Sequence, residues 1–142
     1  MQNTFLALCI LYFPFFVGAC SVPNLEDPVC TESRTAIREF YSFHFGNEMR
    51  ISQENIKDRQ RFLTPRFYQE LSNTQADTDP FTTGTNELPK AFRVGECHVV
   101  APDKVEFQVL LFWRDDVRSE QREIKAVLVK QGDKWLLDSV NR

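Results

Sequence analysis

The chain has 142 residues, 42% hydrophobic and 26% charged, which is the length of one domain and the composition of a chain able to bury a core rather than of a disordered one. Seventeen Lys and Arg against twenty Asp and Glu leave a formal net charge of −3. That balance argues against a nucleic-acid partner, which calls for a basic footprint.

Residues 1–19 read as a signal peptide. Residues 5–19 form an apolar run interrupted only by Pro14. A helix needs about 20 apolar residues to span a bilayer, so this run has the length of a signal-peptide core instead. Met1-Gln2-Asn3-Thr4 carries no Lys or Arg, so the positive end is the α-amino group alone. The run ends Val17-Gly18-Ala19-Cys20. Small side chains before a cleavage point are what a signal peptidase accommodates. A Cys directly after them resembles the bacterial lipobox, whose thiol is acylated and becomes the mature N-terminus. Cys20 is therefore the candidate lipidation site, residues 20–30 the tether, and a membrane the first partner. The expected location is a bacterial cell envelope, facing the periplasm or the exterior. In a two-membrane bacterium the non-acidic Ser21 directs the chain to the outer membrane. A plain secretory signal cut near Ala19, or an uncleaved anchor, are the alternatives, and all three place the domain outside the cytosol.

Cys9 leaves with the signal and Cys20 takes the lipid, so Cys30 and Cys97 remain as a pair in an oxidising compartment. They are either bridged, closing a loop of about 68 residues, or two separate buried thiols. Cys97 and His98 are adjacent, which points them to opposite faces of a strand, and no paired-Cys or paired-His spacing accompanies them. No metal site and no cofactor is expected.

Residues 31–45 carry Ala36, Ile37, Phe40, Tyr41, His44 and Phe45 at three- and four-residue spacing, an amphipathic helix with Thr31 as its cap and Gly46 as its stop. Ser52 caps a second helix through about Leu63. Thr64-Pro65 restarts a third, to about Ser72, with Phe67, Tyr68 and Leu71 on one side. Residues 73–91 form a long polar loop, a length often tied to function.

From Phe92 the period changes to two. Strands are expected over residues 92–100, with Gly95 at a bulge, and over 105–113, 122–130 and 135–140. Tight turns separate most of them, and residues 114–120 make a charged connection. The order predicts an α+β fold, N-terminal helices packed on a curved antiparallel four-stranded meander, over residues 31–142.

Two segments carry a likeness. One is the aromatic helix Phe40-Tyr41-Ser42-Phe43-His44-Phe45. The other is the strand ending that runs from Lys130 through Gly132 and Lys134 to Trp135-Leu136-Leu137-Asp138. With the helices-then-ladder order, residues 31–142 resemble the cone-shaped domains similar to nuclear transport factor two, among them small bacterial lipoproteins of unknown function. The resemblance implies a sheet wrapped on helices around a pocket. Its relatives range from isomerases and dehydratases to binding or scaffold domains, so fold alone does not assign a reaction.

The chemistry-bearing residues are sparse. His44, Tyr41 and Asp138 are the candidate catalytic set, since a His or carboxylate inside an apolar cone can be tuned as a general base. Phe40, His44, Phe67 and Trp113 are the candidate lining of a pocket for a small apolar ligand; the same aromatics also suit plain core packing. Residues 114–123 alternate in charge sign, as a partner-binding hairpin or a solvated tip would. The apolar second face at residues 110–112 and 127–129 permits a homodimer through the sheet. The functional expectation is a noncatalytic envelope domain that binds a protein partner or small ligand. An enzyme of the cone fold, or an inhibitor or immunity protein directed at an envelope toxin or hydrolase, are the alternatives.

Overall fold

The computed structural model describes residues 25–74 and 78–142. The signal, the cleavage point and Cys20 lie outside these residues. Three helices come first: α1 (Pro28–Phe45), α2 (Gln53–Arg59), continued by a 3-10 turn (Gln60–Phe62), and α3 (Pro65–Ser72). Four strands follow, β1 (Ala91–Ala101), β2 (Lys104–Arg114), β3 (Ser119–Gln131) and β4 (Lys134–Asn141), paired antiparallel in the order β1-β2-β3-β4. The architecture is α+β, as the change of period predicts. Among the described residues no helix is long and apolar enough to cross a membrane.

α1 begins three residues before the expected cap. Asp27, not Thr31, is the N-cap, and its carboxylate accepts from the Val29 amide at 2.8 Å. Pro28 sits in the first turn, where its missing N–H leaves nothing unpaired. Asp27-Pro28 thus repeats the logic of Thr64-Pro65, and Cys30 belongs to the helix rather than to a tether. The second helix stops being α-helical at Arg59 and tightens into the 3-10 turn before Leu63. β3 begins at Ser119 because the ladder runs out to Arg114 opposite Ser119, leaving only a short turn where a longer connection was expected.

The helices cover one face of the sheet. On that face β2 presents Val105, Phe107, Val109, Leu111 and Trp113, all buried. β3 adds Ile124, Ala126 and Leu128, directly opposite Val109, Phe107 and Val105. Among the described residues the other face carries no helix, and it is interleaved with charge: Leu110 lies between Arg93 and Glu123 in register. Gly132, with φ of +61°, opens the two-residue turn between β3 and β4, the position where such a hairpin favours glycine.

A bulge in β1 decides the cysteines. Val94 pairs with Val109 and Cys97 with Phe107, so Gly95 and Glu96 together oppose Gln108. Strict alternation would turn Cys97 outward with its neighbour's opposite parity. The extra residue resets the parity and brings Cys97 to the inner face. There it is bridged to Cys30, with Cα atoms 5.9 Å apart. A Cβ on residue 95 would come within 2.4 Å of the Gln108 side-chain oxygen, so a larger residue there displaces that side chain, which donates to Glu123.

Candidate functional site

The bridge, together with Arg34, draws α1 toward the β1 edge. Arg34 Nη1 donates to the Gly95 carbonyl at 2.9 Å, and its guanidinium lies 5.0 Å from the Phe107 ring centroid. Farther along, Tyr41 and Phe45 pack on Phe92. At the opposite edge, Leu63 pairs with Leu137 as an isolated parallel bridge, and the Thr64 amide donates to the Leu137 carbonyl at 2.9 Å. β4 is therefore covered at Leu137. What remains between α1 and Lys134–Leu136 is an open groove of about 730 Å³.

One stripe of α1 walls the groove with Glu32, Ala36, Glu39 and Phe43, and Trp135 and Leu137 stand across from it. Phe40 lies at the margin between groove and core. One end is an aromatic clamp. Phe43 and Phe62 sit 5.3 Å apart, and the Arg61 guanidinium lies 4.8 and 4.6 Å from their centroids. At the other end Lys130 bonds Glu32 at 2.6 Å and lies 5.8 Å from the Trp135 ring. Lys130 first, and the Trp135 indole after it, hold the Glu32 carboxyl below its ordinary range. The buried indole Nε1 of Trp135 leans on that carboxylate without making a well-aligned hydrogen bond.

His44 does not line that groove. It sits 1% exposed in the last turns of α1, at the centre of a polar bolt. Arg59 Nε donates to His44 Nδ1 at 2.9 Å, and His44 Nε2 lies 2.8 Å from Asp79 Oδ2. An acceptor Nδ1 leaves the proton on Nε2, so the ring is neutral and donates to Asp79. Arg59 also donates to the carbonyls of Asn55 and Glu48, at 2.7 and 2.8 Å. Burial pulls the Arg59 guanidinium below its ordinary value, with Asp79, Asp58 and Glu48 opposing. Asp79 in turn accepts from the Phe81 amide at 2.9 Å and the Thr82 hydroxyl at 3.0 Å. Three separate pieces of chain are joined by charge and hydrogen bonds that satisfy one another.

Both His44 nitrogens are therefore occupied, and the space beside the ring is about 10 Å³, room for one water at most. Tyr41 is tied to the same loop: its hydroxyl donates to the Phe81 carbonyl at 2.9 Å. Burial first, and the Asp79 charge second, push the Tyr41 phenol far upward, so it stays a neutral donor. Asp138 is elsewhere. It accepts from the Thr64 hydroxyl at 2.7 Å and pairs with Arg66 at 2.9 Å. Burial acts to raise the Asp138 carboxyl, but Arg66 and Thr64 outweigh it and hold it below the ordinary value.

Of the expected ligand lining, only Phe40 borders the groove. Phe67 packs on Phe81 in the core, with centroids 6.1 Å apart. Trp113 lies at the far end, where its indole donates to the Glu87 carbonyl at 3.2 Å under Arg118 and Arg122. The residues missed in the sequence were Phe43, Phe62 and Arg61, and Asp79 and Arg59. Asp79-Pro80-Phe81-Thr82 carries the signature of a side-chain-capped turn, the one local signal for the bolt. Among the described residues no cluster of His, Cys, Asp and Glu could hold a metal ion. No family model matches the chain, and comparison with curated proteins and with solved structures gave no significant match.

Proposed function

We propose that the chain is a cell-envelope lipoprotein whose domain binds an elongated apolar ligand in the groove between α1 and β4, without turning it over. The observation that carries this reading is the groove itself: open, and walled by the aromatic rings of Phe43, Phe62 and Trp135. Its volume falls within the range of ligand sites, roughly 300–1,000 Å³. A ligand with an apolar body fits against the rings of Phe43, Phe62 and Trp135. The occupied nitrogens of His44 favour binding over catalysis, because a general base needs a free lone pair facing substrate. The Cys30–Cys97 bridge favours an oxidising compartment, consistent with the signal and lipobox-like residues. The helices-then-meander order supports kinship with the domains that resemble nuclear transport factor two.

The test is native mass spectrometry of the chain extracted gently from its own membranes. The expected result is an acylated chain that retains a small molecule, and an Ala36→Trp variant, its groove filled, that keeps the disulfide and the far-ultraviolet spectrum but emerges empty. A native chain that is empty under the same conditions, or an Ala36→Trp chain that retains the same mass, overturns the groove as the site.

A further inference from the structure

Among the described residues the exposed large apolar side chains are Leu25 (93%), Val99 (43%), Val100 (57%) and Val117 (97%). The first three belong to one end of the molecule. Cys30 meets Cys97, and Tyr41 meets Phe92, so α1 and β1 run antiparallel side by side. The helix rises about 16 Å between those residues and the strand covers about the same, so the two elements stay level. Past the bridge they part. Two more helical residues reach Pro28, whereas four more strand residues reach Ala101. The β1–β2 turn therefore stands roughly 10 Å beyond the start of the helix, with Val99 and Val100 near its tip. Val117 is at the opposite end, in the β2–β3 turn.

This apolar end is also where the chain enters. Leu25 lies two residues before the Asp27 cap of α1, and seven residues separate Pro28 from Cys20. The eight Cα-to-Cα steps from Cys20 to Pro28 reach at most about 28 Å when fully extended. An anchor at Cys20 would hold this end, and not the Val117 end, against the bilayer. Charge at this end is nearly balanced: Glu26 pairs with Arg34 and Glu32 with Lys130, Asp103 stands beside Lys104, and Asp133 beside Lys134 in the neighbouring β3–β4 turn, which leaves Asp27 at the helix cap. The chain's net charge of −3 disfavours an anionic surface, so apolar burial rather than cation attraction would seat it.

We propose that the start of α1 and the β1–β2 tip rest on the electroneutral lipid surface that holds the Cys20 anchor, with Val99 and Val100 reaching the headgroup region. The inference rests on the lipid-anchor reading above. It orients the domain, with the β2–β3 turn and the loop before β1 facing away from the membrane.

The test uses the full chain, extracted with its native N-terminus and reconstituted into phosphatidylcholine vesicles that contain brominated lipid. Val100→Trp and Val117→Trp are exposed substitutions, and the emission of each is read against the wild-type chain. The expected result is loss of emission from Val100→Trp and none from Val117→Trp. Chains that float with vesicles while neither variant is quenched remain anchored but stand off, which overturns the seat and leaves the anchor reading intact. Quenching of both means no preferred face and overturns it too. A Val100→Trp emission that shifts with protein concentration instead of with brominated lipid assigns the tip to a second copy, again against the proposal. Chains that fail to float refute the anchor reading and the seat with it.

Discussion

Arg59 gives its Nε–H to Nδ1 of His44 at 2.9 Å, and that one bond settles what the histidine can do. The ring must donate from Nε2, and Asp79 is there to receive it. His44 is thereby a neutral coupling between a buried cation and a buried anion. Removing it leaves both without their shared partner inside the core. His44→Ala is expected to lower unfolding free energy by about 3 kcal/mol or more, the cost of breaking a buried charge network. Arg59→Leu and His44→Leu together are expected to cost less than the sum of the single changes, because the second removes a group the first has orphaned. Urea unfolding with the disulfide intact measures both. Strict additivity would show that the two residues do not act as a unit.

The bolt also marks where sequence reading stops. Phe40, Tyr41 and His44 were placed on one helix face by spacing, and they share it. The partners of His44 lie 15 and 35 residues away, beyond any period a helix or strand can impose. The strands were legible because β2 alternates cleanly over Val105, Phe107, Val109, Leu111 and Trp113. The bulge was flagged by Gly95, yet its consequence for Cys97 depends on register with Phe107, which only pairing supplies. Of the groove only Phe40 was legible. The groove is the gap left by drawing α1 to one edge of the sheet and Leu63 to the other, and no residue in it announces an absence of packing.

The Cys30–Cys97 bridge spans a sequence separation of 67, so it constrains a long loop in the unfolded chain. On the chain-entropy account that is worth about 4 kcal/mol. Replacing both cysteines with serine is expected to lower stability by about that amount, read by urea unfolding of the oxidised and substituted chains. The same change should also free α1 from the β1 edge, seen as faster amide exchange at Ser33 and Ile37. A loss below about 1 kcal/mol would mean the unfolded chain is already restrained without the bridge.

Asp138 fastens α3 to β4 through Thr64 and Arg66 and is held below its ordinary value. A carboxyl lowered on folding stabilises the fold above its unfolded value, near 3.9, and that contribution is lost as the pH falls through the folded value. The clasp should hold unchanged from neutral pH to about 5 and loosen only below roughly 4. Glu26 and Glu120 are lowered by arginines in the same sense, so global unfolding mixes several sites. The local readout is the amide shift of Phe67, which donates to Thr64 Oγ1 at 3.2 Å. Asp138→Asn is expected to abolish its acid transition. A transition that persists in Asp138→Asn would assign it to another group.

Trp135 separates stability from binding. Its ring is buried on the inner face beside Leu137, and its Nε1 leans on the Glu32 carboxylate without a well-aligned hydrogen bond. Trp135→Phe keeps most of the apolar contact and discards a buried donor that is only partly satisfied, a gain in stability. Loss of ring area opposes that gain. Because the ring borders an open groove rather than a sealed core, the two terms should nearly cancel, leaving stability within about 1 kcal/mol of the native chain. Ligand retention should behave differently. Trp135→Phe removes part of the groove wall, and the retained mass falls in the native spectrum while urea unfolding barely moves. Phe62→Ala, at the other end of the groove, should also lose the ligand but with a clear loss of stability, since Phe62 packs on Phe40 and Phe43. If Trp135→Phe keeps the ligand at native occupancy, the indole ring is not part of what the ligand recognises.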